Sequence, residues 1–259
     1  LTLTTVVKDN ICFGVAGGSI DNTVTGGTAP YTYQWNTGAT SQDLQNLLAG
    51  TYVVTITDAN GCLLTSTMSV AQPPQSMTAS ETHVNVSCYG GGNGSINLTV
   101  LGTGHPFTYS WNNNATTEDI ANLVPGVYTV TITDQSGCTL QQSINITQPT
   151  SPINVQAVIT DVACYNVQTG AVDLTVTGGV APYLYAWSNN TGNQDLTNVI
   201  GGNYQVTVLD AAGCQVVLIY PVNQPSAPLS IQLNPVQVAC MGVPTGQIDL
   251  VVTGGTPAY

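Results

Sequence analysis

The stretch Asp43–Cys62, D-L-Q-N-L-L-A-G-T-Y-V-V-T-I-T-D-A-N-G-C, returns without gaps at residues 119–138 and again at 195–214, displaced by 76 residues each time. A fixed period of this kind decides the architecture before any site is considered, because each copy must fold in the same way and meet its neighbours in the same way. The 259 residues hold three full periods and the start of a fourth. The expected units are residues 1–76, 77–152 and 153–228, followed by a truncated one at 229–259.

The local pattern inside a period is that of strands. Tyr52, Val54 and Ile56 alternate with Val53, Thr55 and Thr57, the two-residue period of a half-buried strand. Asp58-Ala59-Asn60-Gly61 then supplies the turn chemistry of a hairpin, and Cys62 opens a partner strand running to Val70. A Leu-rich corner, Gly50 and then Tyr52 predict a tyrosine corner, a buried ring whose hydroxyl bonds back to upstream backbone; Tyr128 and Tyr204 repeat it. Asp43, Asp119 and Asp195 fit a turn capped by its own side chain.

Earlier in each period come a Thr- and Val-rich first strand and a second one at Ile20–Val24, Ile96–Val100 and Val172–Val176. The recurring Gly18, Gly94, Gly170 and Gly246 are expected at a turn or bulge with unusual backbone angles. Tyr31, Tyr33 and Trp35 share one face of a third strand, as do Phe107, Tyr109 and Trp111, and Tyr183, Tyr185 and Trp187. Such a row is either a glycan-stacking platform or the centre of a sandwich core. The position of the Trp favours core, so Trp35, Trp111 and Trp187 join the three corner tyrosines as expected core aromatics. Gly38, Asn114 and Asn190 share one position, where a left-handed turn is expected. Each period closes on Gln-Pro at 72–73, 148–149 and 224–225, where proline stops strand pairing and stiffens the link. Asn22 stands where Leu98 and Leu174 recur, which predicts poorer packing in the first unit. No helix signal is present, and the fold class is all-β: a tandem array of Ig-like antiparallel β-sandwich repeats of 76 residues.

Charge narrows the function. One Lys, no Arg and 13 acids give a net charge of −12, and charged residues are 5% of the chain against the usual ~25%. No basic patch can form, so nucleic acid is excluded as a partner and anionic membranes are repelled. No apolar run is long enough to span a bilayer, and no signal peptide is visible. The chain reads as a piece of a longer protein.

Seven cysteines at 12, 62, 88, 138, 164, 214 and 240 fall into two series of period 76. Phased cysteines in small β units point to disulfides and an oxidising, extracytoplasmic setting. The simplest connectivity is within repeats: Cys12–Cys62, Cys88–Cys138 and Cys164–Cys214, with Cys240 left for a partner elsewhere. Strand geometry raises an objection, since Cys12 ends a first strand and Cys62 starts a last one. The alternative joins neighbours, for example Cys12 with Cys138.

Chemistry finds little purchase. His83 and His105 have apolar residues at the matching places of the first and third units, so no base with recurring partners is suggested and an enzyme is not expected. There is no C-x-x-C to support a metal centre. Calcium is the remaining cofactor candidate, through Asp58, Asp134 and Asp210 or through Asp21, Asp173 and Asp249, but these acids are isolated from one another in sequence and no cofactor is expected.

Taken together, G-G-x-x-P-Y-x-Y-x-W and N-L-x-x-G-x-Y-x-V-T-x-x-D-x-x-G-C resemble the SprB repeat, found in very large cell-surface adhesins of gliding bacteria of the Bacteroidetes type. The second unit departs at Gly102-Thr103-Gly104-His105-Pro106, and the fourth exchanges Pro257 and Ala258. The N-L-x-x-G-x-Y stretch also looks like those of fibronectin type III and PKD modules. The resemblance implies type IX secretion, display on the bacterial cell surface, contact with the outer-membrane gliding and secretion machinery, and adhesion to external surfaces or polysaccharides. The expected role is a structural, adhesive stalk, with a polysaccharide-binding, lectin-like repeat as the alternative. The partners expected within the chain are neighbouring repeats.

Overall fold

The computed structural model describes residues 1–237, 242, 244 and 246–259. Within these, every regular element is a strand and every pairing is antiparallel. By packing, the chain divides into two compact units, one of residues Leu1–Val84 with Gly94–Ile146 and one of Asn85–Asn93 with Thr147–Tyr259.

The first period forms β1 (Thr2–Lys8), β2 (Gly18–Thr25), β3 (Thr32–Trp35), β4 (Leu44–Leu47), β5 (Gly50–Thr57) and β6 (Leu63–Val70). They make two three-stranded sheets, β1-β2-β4 and β3-β5-β6. The second period repeats them as β7 (Thr78–Val84), β8 (Gly94–Leu101), β9 (Thr108–Trp111), β10 (Ile120–Leu123), β11 (Gly126–Thr133) and β12 (Thr139–Ile146). The third does so as β13 (Asn154–Thr160), β14 (Gly170–Thr177), β15 (Leu184–Trp187), β16 (Leu196–Val199), β17 (Gly202–Leu209) and β18 (Gln215–Val222). β19 (Ser230–Val236) and β20 (Gln247–Thr253) pair as the first two strands of a further copy, and their apolar residues Ile231, Leu233, Ile248 and Leu250 are exposed.

Each period therefore has six described strands rather than the seven of a standard Ig sandwich. Only residues 36–43 separate β3 from β4, enough for a turn and no more. The indole of Trp35 closes that turn, donating to the Ser41 carbonyl at 2.7 Å; Trp111 and Trp187 donate to Thr117 and Asn193 at 2.9 and 3.0 Å.

The core lies between the two sheets. In the first period Ile20 and Leu44 meet Trp35, Tyr52, Val54, Ile56, Met68 and Val70 from the opposite sheet, and the third period has the same arrangement around Trp187. The expected tyrosine-corner bond is present three times: Tyr52, Tyr128 and Tyr204 donate to the carbonyls of Leu48, Val124 and Ile200, each at 2.9 Å. The rings of Tyr52 and Tyr128 are buried, and that of Tyr204 is only partly so. Gly38, Asn114 and Asn190 have φ of 86°, 68° and 67°, the left-handed turn expected of them.

Two local readings are corrected. Gly18, Gly94 and Gly170 do sit where the register shifts against the neighbouring strand, the expected bulge, but their backbones are not left-handed; they are glycine for space. A Cβ at Gly18 would stand 2.5 Å from Val70, and at Gly94 and Gly170 it would stand 2.8 and 2.7 Å from Ile146 and Val222. Asp43, Asp119 and Asp195 do not cap their own turn either. They reach the adjacent strand, accepting from the backbone amides of Asn22, Leu98 and Leu174 at 2.8, 2.9 and 2.9 Å. The partner strand β4 begins only at Leu44, opposite Ile20, so the carboxylate of the preceding residue takes over where a strand carbonyl would have continued the ladder. Asn22 is fully buried, yet both ends of its amide are satisfied, by the Thr5 hydroxyl at 2.8 Å and the Gln42 carbonyl at 3.0 Å.

Candidate functional site: a disulfide clasp between repeats

Cys12 lies in the loop between β1 and β2. The loop is held down at three points. The Asn10 amide donates to the Ala71 carbonyl, the Ala71 amide donates to Asp9 Oδ1 at 2.8 Å, and the Gly14 amide donates to Gln72 Oε1 at 2.8 Å. The second and third periods rebuild this frame. Thr147 and Asn223 donate to Asn85 and Asp161, and Gly90 and Asn166 donate to Gln148 and Gln224. The Asn223 amide holds the Asp161 carboxyl below the usual carboxylate range. The residues before the Gln-Pro pair, and its Gln, are thus structural parts of the cysteine loop. Their recurrence was the signal in the sequence; their role was not legible, because the partners lie 58 and 62 residues away.

The second cysteine series lies on the hairpin turn before β6, β12 and β18. Asp134 Oδ1 accepts the amides of Ser136 and Cys138 at 2.8 and 2.9 Å, and Gly137 takes φ of 86°. Asp210 does the same for Ala212 and Cys214 and adds Val180 through its other oxygen. Asp58 accepts from Asn60 and Cys62 through Oδ1 and from Thr28 through Oδ2. The amides of Cys62 and Thr28 hold its carboxyl below the usual range, against the opposing effect of burial. Both oxygens of Asp58 and Asp210 are committed to backbone amides. Among the described residues no three of His, Cys, Asp and Glu gather.

The disulfides join loop to turn across a repeat junction. Cys12 pairs with Cys138, with Cα atoms 5.7 Å apart, and Cys88 pairs with Cys214 at 5.6 Å; both span 126 residues. In each, the turn sulfur sits 3.4 Å from the carbonyl before the loop cysteine, that of Ile11 or Ser87. Cys62 and Cys164 are free and exposed. The within-repeat pairings Cys12–Cys62, Cys88–Cys138 and Cys164–Cys214 are therefore corrected, and Cys240 lies outside the described residues. The cause is strand length. The cysteine loop is bonded to Ala71, just beyond one end of β6, while Cys62 sits just beyond the other, with the eight residues of the strand between them. At ~3.3 Å per residue that is roughly 25 Å, several times the reach of a disulfide.

The remaining sequence candidates are packed in the core or paired with neighbouring groups. Trp35, Trp111 and Trp187 are 2–3% exposed. Tyr31 and Tyr183 donate to the Gly26 and Gly178 carbonyls at 2.8 and 2.6 Å, and Tyr33 and Tyr185 donate to Gln42 and Gln194. Tyr109 is pushed up to about 12 by burial and by its bond to Glu118. His83 pairs with Glu81 at 3.0 Å on the surface, and His105 lies against the Phe107 ring at 4.3 Å. No helix of the described residues is long and apolar enough to cross a membrane.

These features define a disulfide-stapled array of Ig-like repeats, a kind of chain that belongs outside the reducing cytosol. The SprB repeat matches it four times, at residues 4–40, 80–116, 156–192 and 233–259, together more than half of the sequence. The chain belongs to the SprB repeat family. No curated protein matches it. Among solved structures it is similar to the N-terminal eight Ig domains of Down Syndrome Cell Adhesion Molecule (DSCAM) isoform 1.30.30. The identity is 12% and the TM-score 0.35, over 73% of this chain and 32% of that one. It is also similar to extracellular domains 3–5 of Drosophila OTK, at 13% identity and TM-score 0.31, over 85% and 96% of the two chains. The chain thus spans about a third of the length of the DSCAM fragment.

Proposed function

We propose that this chain is a load-bearing stretch of structural repeats in a very large bacterial cell-surface adhesin, used in surface attachment and gliding motility. The observation that carries the reading is the clasp: a second covalent link, beside the backbone, between one repeat and the next. Such a link resists separation of neighbours under tension. Family membership supports the adhesin setting, with export by the type IX route and docking to outer-membrane gliding machinery as its corollaries. The repeat boundaries then fall at the Gln-Pro links, giving units 1–76, 77–152, 153–228 and a fourth from 229. A polysaccharide-binding role finds less support, since the tryptophans are buried and four of the neighbouring tyrosine hydroxyls are engaged by the protein itself.

Pulling the chain by its ends tests the mechanical role. With both disulfides closed, the shortest covalent route from Cys12 to Cys214 runs through only the 50 residue-to-residue steps between 88 and 138, about 170 Å when fully drawn out. After reduction that route is 202 residues long, about 700 Å. The reading is overturned if reduction leaves the extension unchanged, or if a surface polysaccharide binds the oxidised chain and quenches its tryptophans.

A further inference from the structure

Cys164 occupies the loop position of Cys12 and Cys88, and Cys62 occupies the turn position of Cys138 and Cys214, each 76 or 152 residues removed. Neither has a partner among the described residues, although both are presented in finished frames. The Cys164 loop carries the same restraints as the bridged loops: Val162 donates to Asn223, Asn223 donates to Asp161, and Asn166 donates to Gln224. Cys62 has the Asp58 bond that Cys138 and Cys214 have to their own aspartates.

The surroundings of Cys164 supply a separate observation. At the Cys12–Cys138 junction a cleft is lined by Cys12, Phe13, Met77, Thr103, Gly137 and Cys138. At the Cys88–Cys214 junction the matching cleft is lined by Cys88, Tyr89, Ile153, Gly213 and Cys214. A third cleft of about 270 Å³ holds Cys164, Tyr165, Leu229 and Gly255. These are the same positions one and two periods on: Leu229 for Met77 and Ile153, Gly255 for Thr103. What the first two clefts contain and the third does not is the Gly-Cys of a hairpin turn.

We infer that Cys164 and its cleft are a docking site for the D-x-x-G-C turn of a further SprB repeat, and that Cys62 is the complementary half, offered to the cysteine loop of another. The rule is that the loop cysteine of one repeat bonds the turn cysteine of the next, 126 residues on. Each repeat thereby carries one bond to each neighbour and none to itself. Closure is an oxidation by a small-molecule disulfide. The Cys164 thiolate attacks it and releases one thiol. The turn thiolate then attacks Cys164 Sγ in the mixed disulfide and releases the second. Two cysteine thiols lose two electrons and two protons, and the oxidant leaves as two thiols.

The test extends the chain. A copy of residues 184–228 appended after Tyr259 completes the fourth repeat and places a turn cysteine 126 residues after Cys164, the spacing of the two existing bridges. The protein is oxidised with glutathione disulfide, alkylated without reductant and mapped by mass spectrometry. The expected product links Cys164 to the appended cysteine while Cys62 is alkylated or carries glutathione. In Cys164→Ser the appended cysteine is alkylated or carries glutathione instead. A Cys240→Ser version removes the within-repeat competitor and is expected to give the same Cys164 link. The inference is overturned if Cys164 remains alkylated or glutathione-bound, or if the appended cysteine bonds Cys240, in protein whose Cys12–Cys138 and Cys88–Cys214 bridges have formed.

Discussion

Gln72 reaches back across 58 residues to accept the Gly14 amide at 2.8 Å, tying the end of one repeat to the loop that carries its cysteine. The bond is exposed, and its removal leaves the Gly14 amide to water. Gln72→Ala is therefore expected to cost about 1 kcal/mol and to raise the rate at which dithiothreitol opens Cys12–Cys138 by roughly fivefold. Unchanged reduction kinetics would show that the glutamine does not restrain the loop.

Thiol labelling of the native chain without reductant checks the connectivity directly. Cys62 and Cys164 are expected to react, and Cys12, Cys88, Cys138 and Cys214 are expected to be protected. Protection of Cys62 together with Cys12 would restore the within-repeat pairing.

Asn22 tests whether a buried polar residue is a weakness. Its side chain accepts from Thr5 and donates to Gln42 inside the first core, where Leu98 and Leu174 serve the later repeats. Asn22→Leu alone strands the Thr5 hydroxyl. Asn22→Leu with Thr5→Ala removes both members of the Asn22–Thr5 bond, leaving only the Gln42 carbonyl without its donor, and is expected to be about 1 kcal/mol more stable than the single variant, since replacing both members of a buried bond by apolar groups is neutral or favourable. Thermal unfolding of the single and double variants decides it; a double variant less stable than the single one contradicts the argument.

Acid should loosen the first turn. The Asp58 carboxyl is held below its ordinary value by the Cys62 and Thr28 amides. On acidification the unfolded chain takes up this proton before the folded one does. The stabilisation is therefore complete above the ordinary Asp value near 3.8 and is lost as pH falls through the lower folded value. Asp58→Asn is expected to be less stable than the parent at pH 6 and to show a shallower loss between pH 4 and 2, followed by denaturant titration at each pH.

What was legible in the sequence was whatever repeats within a strand or a turn. The alternation around Tyr52 marked β5, the Tyr-after-Gly pattern marked the corner, and Gly38, Asn114 and Asn190 marked a left-handed turn. What escaped was long-range. Asp43 looks local but bonds a strand 21 residues upstream. Gly18 looks like a conformational glycine but makes room for Val70. The cysteine pairing was open for the same reason: period 76 fits within-repeat and between-repeat bonds equally, and only the direction of β6 separates them.

The two disulfides overlap, since Cys88 lies inside the loop closed by Cys12–Cys138 and Cys138 lies inside the loop closed by Cys88–Cys214. A protease that severs any one peptide bond between residues 12 and 214 therefore releases nothing. Whichever bond is cut, at least one bridge still straddles the break. Nicked molecules should travel at full size on a non-reducing gel and fall apart only with reductant. Damage to a single repeat is in this way kept from becoming the loss of everything beyond it.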